Sequence, residues 1–417
     1  MISININTII LFKIAKSICK QKRGVRSNMK WNRRGQELDQ KAKYIVESFL
    51  ERKQIYVFGA GLRGTELHSI LKYYGIFGGF IDNDCAKQTN GYEGARVYSL
   101  EEFQNQKSKS WIIIAASDAH SDEIDNQLKN AGYQKKADYY YYEEFVKDIF
   151  PILSFYHFKK LFVFLAQISV TERCTLHCRK CAHACHNVSI TATDMTLDMA
   201  KKSADSFFQY VDIINEFVLI GGEPFLYSEL EELVDYIGKK YRKKILRFSI
   251  TTNGTILPSD KMLELCKKHR VTIRVSDYSD TIPKLANRYK LFYERTSKLD
   301  VIVWKTRKQD CWFDYGYEEI DRGEDIPLLR EAFDRCRTDC REIRGSRYYY
   351  CVMARSVSEN MNWGIGTDDY LELDGLQDKK IFFEYQQGFS EKGYLDLCRH
   401  CRGAEVSMFL IPAAEQE

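Results

Sequence analysis

Apolar and polar positions alternate along the chain with two periods. Residues 35–52 read as a polar helix with an apolar stripe at Ile45, Val46, Phe49 and Leu50. Gln54–Phe58 is a short apolar run that stops at Gly59, a buried-strand pattern. Gly59-Ala60-Gly61-Leu62-Arg63-Gly64 follows and opens a helical pattern at Leu67, Ile70 and Leu71. A second strand, Phe80-Ile81, ends at Asp82-Asn83-Asp84. Trp111–Ala116 is a third, followed by a helix through Ile124 and Leu128. After an aromatic-rich connector the rhythm resumes on a larger scale. Strands are expected at Phe162–Val170, Glu216–Ile220, Leu246–Thr251, Val271–Val275 and Val301–Trp304. Helices are expected around 197–211, 228–240 and 260–269, the last with Ser259 as its N-cap. Beyond residue 309 the rhythm is lost.

Strands alternating with helices predict parallel α/β architecture. The expected organisation is a basic N-terminal arm or helix over 1–34, a Rossmann-like parallel sheet over 35–150, and a partial (β/α) TIM-type barrel over 151–309. An irregular cysteine-rich domain then fills 310–417. The length of 417 residues suits two or three domains, and the 44% hydrophobic content supplies their cores. The net charge of +4 gives no reason to expect a nucleic-acid partner. Near the start, Ile9-Ile10-Leu11-Phe12 is broken by Lys13 and Lys16, too short a run to span a bilayer and without a cleavage site. The segment predicts an amphipathic helix with Ile10, Leu11, Ile14 and Ile18 on one face. A reducing, cytoplasmic setting follows as the expectation. The thirteen cysteines are too few for a disulfide scaffold. In a reducing compartment clustered cysteines point to metal or catalysis.

Cys174, Cys178 and Cys181 form C-x3-C-x2-C directly after a predicted strand. Three thiolates on one short loop can hold an iron–sulfur cube at three of its four irons and leave the fourth open. Cys185 offers a fourth thiolate for a closed cluster, and His177, His183 and His186 offer a zinc alternative. Downstream, Gly221-Gly222-Glu223-Pro224, Asn253-Gly254 and Ser276-Asp277-Tyr278 lie at the carboxyl ends of successive predicted strands, where barrels place their sites. Paired glycines permit close backbone approach, and exposed carbonyls with Glu223 can accept from an ammonium.

Over roughly residues 162–305 this pattern resembles the radical S-adenosylmethionine (radical SAM) enzymes. The resemblance implies a 4Fe-4S cluster on Cys174, Cys178 and Cys181 whose open iron chelates S-adenosylmethionine. It implies that Gly221, Gly222, Glu223 and Pro224 contact the methionine amino group, and that Asn253 and Ser276 contact ribose or carboxylate. Reduction of the cube, by a flavodoxin- or ferredoxin-type partner, would generate a 5′-deoxyadenosyl radical that abstracts hydrogen from a substrate. Asp277, Tyr278 and Cys311 are candidate proton or hydrogen donors, with no catalytic residue assigned.

The region 330–403 resembles the twitch extension, a shortened relative of the SPASM domain. It implies an auxiliary 4Fe-4S cluster on Cys340, Cys351, Cys398 and Cys401. Cys336 or Cys311 could replace one ligand, and a zinc ribbon is the alternative. Cys19, Cys85 and Cys266 read as ordinary thiols. In the first domain, Gly59, Gly61 and Gly64 follow a strand and open a helix, with Asp82 at the next strand end, as in a dinucleotide fingerprint. This part resembles sugar-nucleotide-binding domains of glycan-modifying enzymes. The expectation is therefore oxidation of a nucleotide-linked sugar or other small metabolite, with maturation of a ribosomal peptide as the alternative. A non-enzymatic zinc or iron–sulfur regulatory module is the reading from another class.

Overall fold

The structure is a computed structural model that describes residues 36–106, 109–299, 301–305, 311–336, 338–366 and 368–417. The expected N-terminal arm and its amphipathic helix, together with Cys19, lie outside the described residues. The described part contains two compact units, residues 35–164 with 211–215, and residues 165–210 with 216–417.

The first unit holds strands β1 (Ile55–Phe58), β2 (Phe77–Ile81), β3 (Val97–Tyr98), β4 (Trp111–Ile114) and β5 (Tyr139–Tyr141). They form one sheet in the order β3-β2-β1-β4-β5, all parallel. Both β1 and β4 are buried along their whole length, which is why they read as unbroken apolar runs. The sequence missed β3 and β5. Two or three residues leave no periodicity to read, and Tyr139–Tyr141 looks like connector until it pairs with β4. The unit also extends past the expected boundary at 150, because helix Phe150–Tyr156 packs its apolar face here; Phe150 sits edge-on to Tyr74, 5.0 Å between centroids.

The glycine turn after β1 is set by packing. A Cβ on Gly64 would lie 2.1 Å from the Gly59 carbonyl oxygen, so helix Leu62–Tyr74 can start this close to the strand only with glycine there. Nothing stands within 4 Å of a Cβ on Gly61. Asp82, at the end of β2, accepts from the Ala60 N–H at 2.7 Å and so pins the turn to the neighbouring strand.

The second unit is built on most of β6 (Phe162–Thr171) and β7 (Ile213–Gly221), from Leu165 and Glu216 onward, with β8 (Ile245–Thr252), β9 (Val271–Val275) and β10 (Val303–Lys305). Helices Leu197–Tyr210, Leu230–Tyr241, Asp260–His269 and Ala286–Lys298 alternate with them. Leu230, Leu233, Val234 and Ile237 are buried on one helix face, and Ser259 caps its helix by accepting from the Met262 N–H at 3.0 Å. The strands follow one another in space, but the sheet does not close on itself. Beyond β6 it continues into β12 (Arg341–Arg344), β13 (Arg347–Tyr349) and β14 (Tyr370–Glu372). The cysteine-rich segment therefore belongs to the same compact unit as the barrel strands, where the sequence suggested a separate domain from 310. A second, two-stranded sheet pairs β11 (Cys311–Phe313) with β15 (Leu410–Pro412). Among the described residues no helix is long and apolar enough to cross a membrane.

Gly64→Ala tests the packing account of the glycine turn. It is expected to lower the stability of the first unit by more than the ~1 kcal/mol of a helix-propensity effect, in the opposite sense, since alanine is otherwise the better helix former. Urea unfolding followed by hydrogen exchange over residues 55–82 measures it; an unchanged or stabilised unit would refute the close contact.

Candidate functional site

The loop carrying Cys174, Cys178 and Cys181 leaves the carboxyl end of β6. Cys178 is buried with Leu176, Ile282 and Ala414, and Cys174, Cys181, Tyr278, Leu285 and Trp312 pack against them. The sulfurs receive N–H groups. Leu176 N donates to Cys174 Sγ at 3.4 Å, Asn253 Nδ2 to the same sulfur at 3.5 Å, and Gln416 Nε2 to Cys178 Sγ at 3.1 Å. Burial pushes the Cys174 thiol up to about 11 and the Cys178 thiol up to about 12. Cys181 goes the other way: hydrogen bonding with Cys185 pulls it well below the usual thiol range, and His186 adds to this. Cys185 is itself raised and lies 3.9 Å from Glu172 Oε2. His183 and His186 each bury an Nδ1 with no protein partner among the described residues.

This donor set fits a soft metal cluster. Three thiols share one apolar pocket, and N–H donors are aimed at the sulfurs, as outer partners of thiolate-held clusters are. No group of three or more His, Cys, Asp or Glu side chains among the described residues is drawn in around a single ion.

The strand ends around the loop explain the other motifs. A Cβ on Gly221 would meet the Thr171 carbonyl oxygen at 2.1 Å, and one on Gly222 the Arg173 carbonyl oxygen at 2.3 Å. The close approach these glycines permit is therefore to β6 and the start of the cysteine loop. Gly222 N and Glu223 N donate to Thr171 O (2.9 Å) and Arg173 O (2.8 Å) and seal the contact. Pro224 starts a short helical turn, Pro224–Leu226, with its φ already suited to it.

Glu223 is fully buried, and its carboxylate is occupied by the protein. It accepts from Phe225 N at 3.1 Å, Asn253 N at 2.8 Å and Thr252 Oγ1 at 2.8 Å. Its side chain ties the end of β7 to the end of β8. Both oxygens of the Glu223 carboxylate, expected from the sequence to accept from a methionine ammonium, already accept from these protein donors. Asn253 turns its amide to the loop, donating to Thr175 Oγ1 at 3.2 Å as well as to Cys174. Ser276 holds the end of β9 to β8 through its N–H and Thr252 O at 2.9 Å. Tyr289, which the sequence did not single out, joins these two ends: its hydroxyl donates to Asn253 O at 2.9 Å and accepts from Tyr278 N at 3.1 Å. Tyr278 packs its ring on Trp312 at 5.6 Å and 84°, and burial keeps its hydroxyl protonated. Asp277 pairs with Lys305 at 2.9 Å; burial resists its ionisation, but this contact and Ser279 hold it below the usual carboxylate range.

A buried ion network lies behind the loop. Arg355 is fully buried and reaches Glu342 Oε1 at 2.6 Å, Glu172 Oε1 at 2.6 Å and Glu359 Oε2 at 3.1 Å. Glu172 precedes Cys174 by two positions, Glu342 sits on β12, and Arg355 is on helix Val352–Asn360, which Cys351 caps. Burial opposes ionisation of Glu172, but Arg355 outweighs it and holds that carboxyl down; at Glu342 burial wins and the value is raised. Sequence reading missed this group, since Arg355 and Glu359 at i,i+4 on a helix look like a solvated face and the other two carboxylates lie far away in the chain.

The second group of thiols gathers around Cys351, which is buried with Ala184, Tyr317, Leu329 and Phe333, with Cys398 and Cys401 against them. Burial raises all three, Cys401 to about 11. Cys336 acts electrostatically on each of the three, and together with Cys340 on Tyr315. The rings of Tyr315 and Tyr317 stack at 5.6 Å and 9°, and the Tyr317 hydroxyl donates to Ala182 O at 2.9 Å. The pair thus reaches from the cysteine loop to the second thiol group. Cys311 is exposed on β11 and Cys85 is exposed, whereas Cys266 is buried in a helix.

Residues 168–299 match the family described as the Radical SAM superfamily. The chain is 32% identical over 118 residues to the antilisterial bacteriocin subtilosin biosynthesis protein AlbA of Bacillus subtilis (strain 168), covering 28% of this chain and 24% of AlbA. It is 34% identical over 95 residues to a probable GTP 3′,8-cyclase of Methanococcus aeolicus, covering 22% of this chain and 29% of that protein. The chain thus spans under a third of the length of these curated relatives. Among solved structures, BtrN in complex with AdoMet and 2-DOIA aligns over 60% of this chain and 98% of its own, at 14% identity and TM-score 0.36. Streptococcus suis SuiB bound to precursor peptide SuiA aligns over 44% of each chain, at 17% identity and TM-score 0.28. These two alignments are too loose to carry a residue across.

Two outcomes follow from these buried charges. Arg355→Met is expected to destabilise the second unit by about 3–5 kcal/mol, because it leaves carboxylates buried without a counter-charge; chemical denaturation measures it, and a cost under ~1 kcal/mol would contradict the network. Burial raises Glu223 to about 7 from an ordinary 4.5. The folded chain then binds the proton more tightly than the unfolded one. Stability from this group is full below its ordinary value and is lost as pH rises through about 7. Glu223→Gln should flatten that part of the pH–stability curve, as read by thermal midpoints across the window.

Proposed function

We propose that the chain is a radical SAM enzyme that reductively cleaves S-adenosylmethionine and abstracts hydrogen from a substrate. The observation that carries this reading is the C-x3-C-x2-C loop, with N–H donors on its sulfurs, set at the joined ends of β6, β7, β8 and β9. Cys174, Cys178 and Cys181 would hold the 4Fe-4S cluster, which when reduced supplies the electron for sulfonium cleavage. The carbonyls of the Gly221–Pro224 turn serve the methionine amino group, and Asn253 and Ser276 line the side where ribose or carboxylate lies. Tyr278, Trp312, Leu285 and Ile282 exclude water from the thiol side, which a reactive radical needs.

A second cluster belongs to the thiols around Cys351. Cys351, Cys398 and Cys401 supply three ligands, and the fourth falls to Cys340 or Cys336.

The substrate reading is a nucleotide-linked sugar or other small metabolite that is oxidised. It is supported by the first unit, whose order β3-β2-β1-β4-β5 is that of Rossmann-like nucleotide-binding sheets. Gly59, Gly61 and Gly64 open a helix with no side-chain cap on its first N–H groups, and open space surrounds Gly61. Asp82 holds the turn through Ala60 N, and a ribose contact would share that carboxylate. The similarity to a bacteriocin biosynthesis protein favours a second reading, maturation of a ribosomal peptide.

Anaerobic reconstitution followed by reduction tests the activity. The wild-type chain should release 5′-deoxyadenosine from S-adenosylmethionine. The triple variant Cys174→Ala, Cys178→Ala, Cys181→Ala should release none and keep about half the iron, the share of the second cluster. Bound zinc with no iron and no cleavage would overturn the proposal in favour of a regulatory metal module. Deuterium transfer from labelled UDP-sugars, or from a labelled precursor peptide, into 5′-deoxyadenosine separates the two substrate readings.

A further inference from the structure

The loop between Cys174 and Cys181 has no ladder of its own, yet its main-chain groups must find partners. Residues 415–417 supply them. Arg179 N donates to Glu415 O at 2.7 Å and Glu417 N donates to His177 O at 2.9 Å, while His177 N donates to Gln416 Oε1 at 3.0 Å. Cys178 and Gln416 face each other as an antiparallel bridge. Ala413 and Ala414 just before them are fully buried, Ala414 against Leu176, Cys178 and Ile282. The strand leading in, β15, sets Ile411 opposite Trp312, whose ring closes on Tyr278. The Gln416 amide has one end on the loop's main chain and the other on a sulfur. Its Nε2 lies 3.1 Å from Cys178 Sγ, the shortest of the three N–H···S contacts at this site, and also donates to Ala414 O at 2.7 Å.

We propose that residues 413–417 are a clasp on the cluster-binding loop, and that Gln416 is a positioning residue that raises the reduction potential of the cluster through its N–H···Sγ bond to Cys178. The physical reason is charge. Reduction adds an electron to an anionic cluster, and a donor aimed at a ligand sulfur stabilises the more negative state. Neither the loop motif nor the strand-end motifs include this residue.

The inference rests on the reading that Cys174, Cys178 and Cys181 hold a cluster. The test is an EPR-monitored redox titration of the anaerobically reconstituted full chain, read on the signal that changes when S-adenosylmethionine is added. Gln416→Leu removes the donor at similar size. Gln416→Glu keeps an acceptor for His177 N, removes the donor and adds negative charge. Glu415→Asp is the control, since it keeps the charge and Glu415 meets the loop through its carbonyl. The expected result is a more negative potential in Gln416→Leu, a larger shift in Gln416→Glu and none in Glu415→Asp, with iron per chain unchanged. Wild-type potentials in both Gln416 variants would overturn the inference, and so would loss of iron from both, which would make the residue a structural tie. A wild-type chain with no S-adenosylmethionine-responsive cluster would overturn the reading beneath it as well; a responsive cluster with unmoved potentials would overturn this inference alone.

Discussion

Arg355 holds carboxylates from separate stretches of the chain in a space closed to water. One guanidinium is shared by Glu172, Glu342 and Glu359, so the group has more negative charge than positive. Arg355 pulls both Glu172 and Glu342 down; burial outweighs it at Glu342 and not at Glu172. Such a group is a poor source of net stability, because taking ions out of water costs about what their attraction returns. Its value is geometric. Removing Arg355 would leave Glu342 fully buried without its counter-charge, so the pairing favours one arrangement of β6, β12 and helix Val352–Asn360. Glu172 leads straight into the cysteine loop and Cys351 starts the helix that carries Arg355. The position of one thiol group is thereby referred to the other.

The strand ends obey the same economy of contact. Gly221 and Gly222 let β7 press on β6, Glu223 crosses to β8, and the Tyr289 hydroxyl joins β8 to β9. Motif residues that sequence reading assigns to a ligand thus serve first to bind the strand ends to one another. A site built this way has its strand ends tied together by the protein's own contacts, which would suit the radical chemistry proposed for it. The same view explains why the carboxylate of Glu223 has its oxygens taken by protein donors.

Much of this was legible in the sequence because long buried strands announce themselves. Phe162–Thr171, Ile245–Thr252 and Val271–Val275 were found to within a residue or two, as was the helix capped by Ser259. The cysteine loop was legible because three thiols at such spacing have few other uses. What escaped was whatever depends on partners far along the chain. Val97–Tyr98 and Tyr139–Tyr141 are strands only by virtue of β2 and β4. Arg355, Tyr289 and Gln416 belong to no motif, and each is defined by what it touches across the fold. The gathering of barrel and cysteine-rich segment into one unit was likewise hidden, since nothing local in Arg341–Arg344 says that it pairs with β6.

That last pairing has a consequence for how the chain comes together. β6 finds one neighbour in β7 and the other in β12, at Ala166 and Gln167 opposite Arg341 and Glu342. Contacts of such sequence separation form late, because the intervening chain must be ordered before they repay the closure of so long a loop. During synthesis from the N-terminus, the strand that launches the cysteine loop is complete long before its second edge is covered, and the residues that meet His177 and Arg179 are made later still. The thiols of the loop are therefore among the first chemically important groups to emerge and among the last to be enclosed.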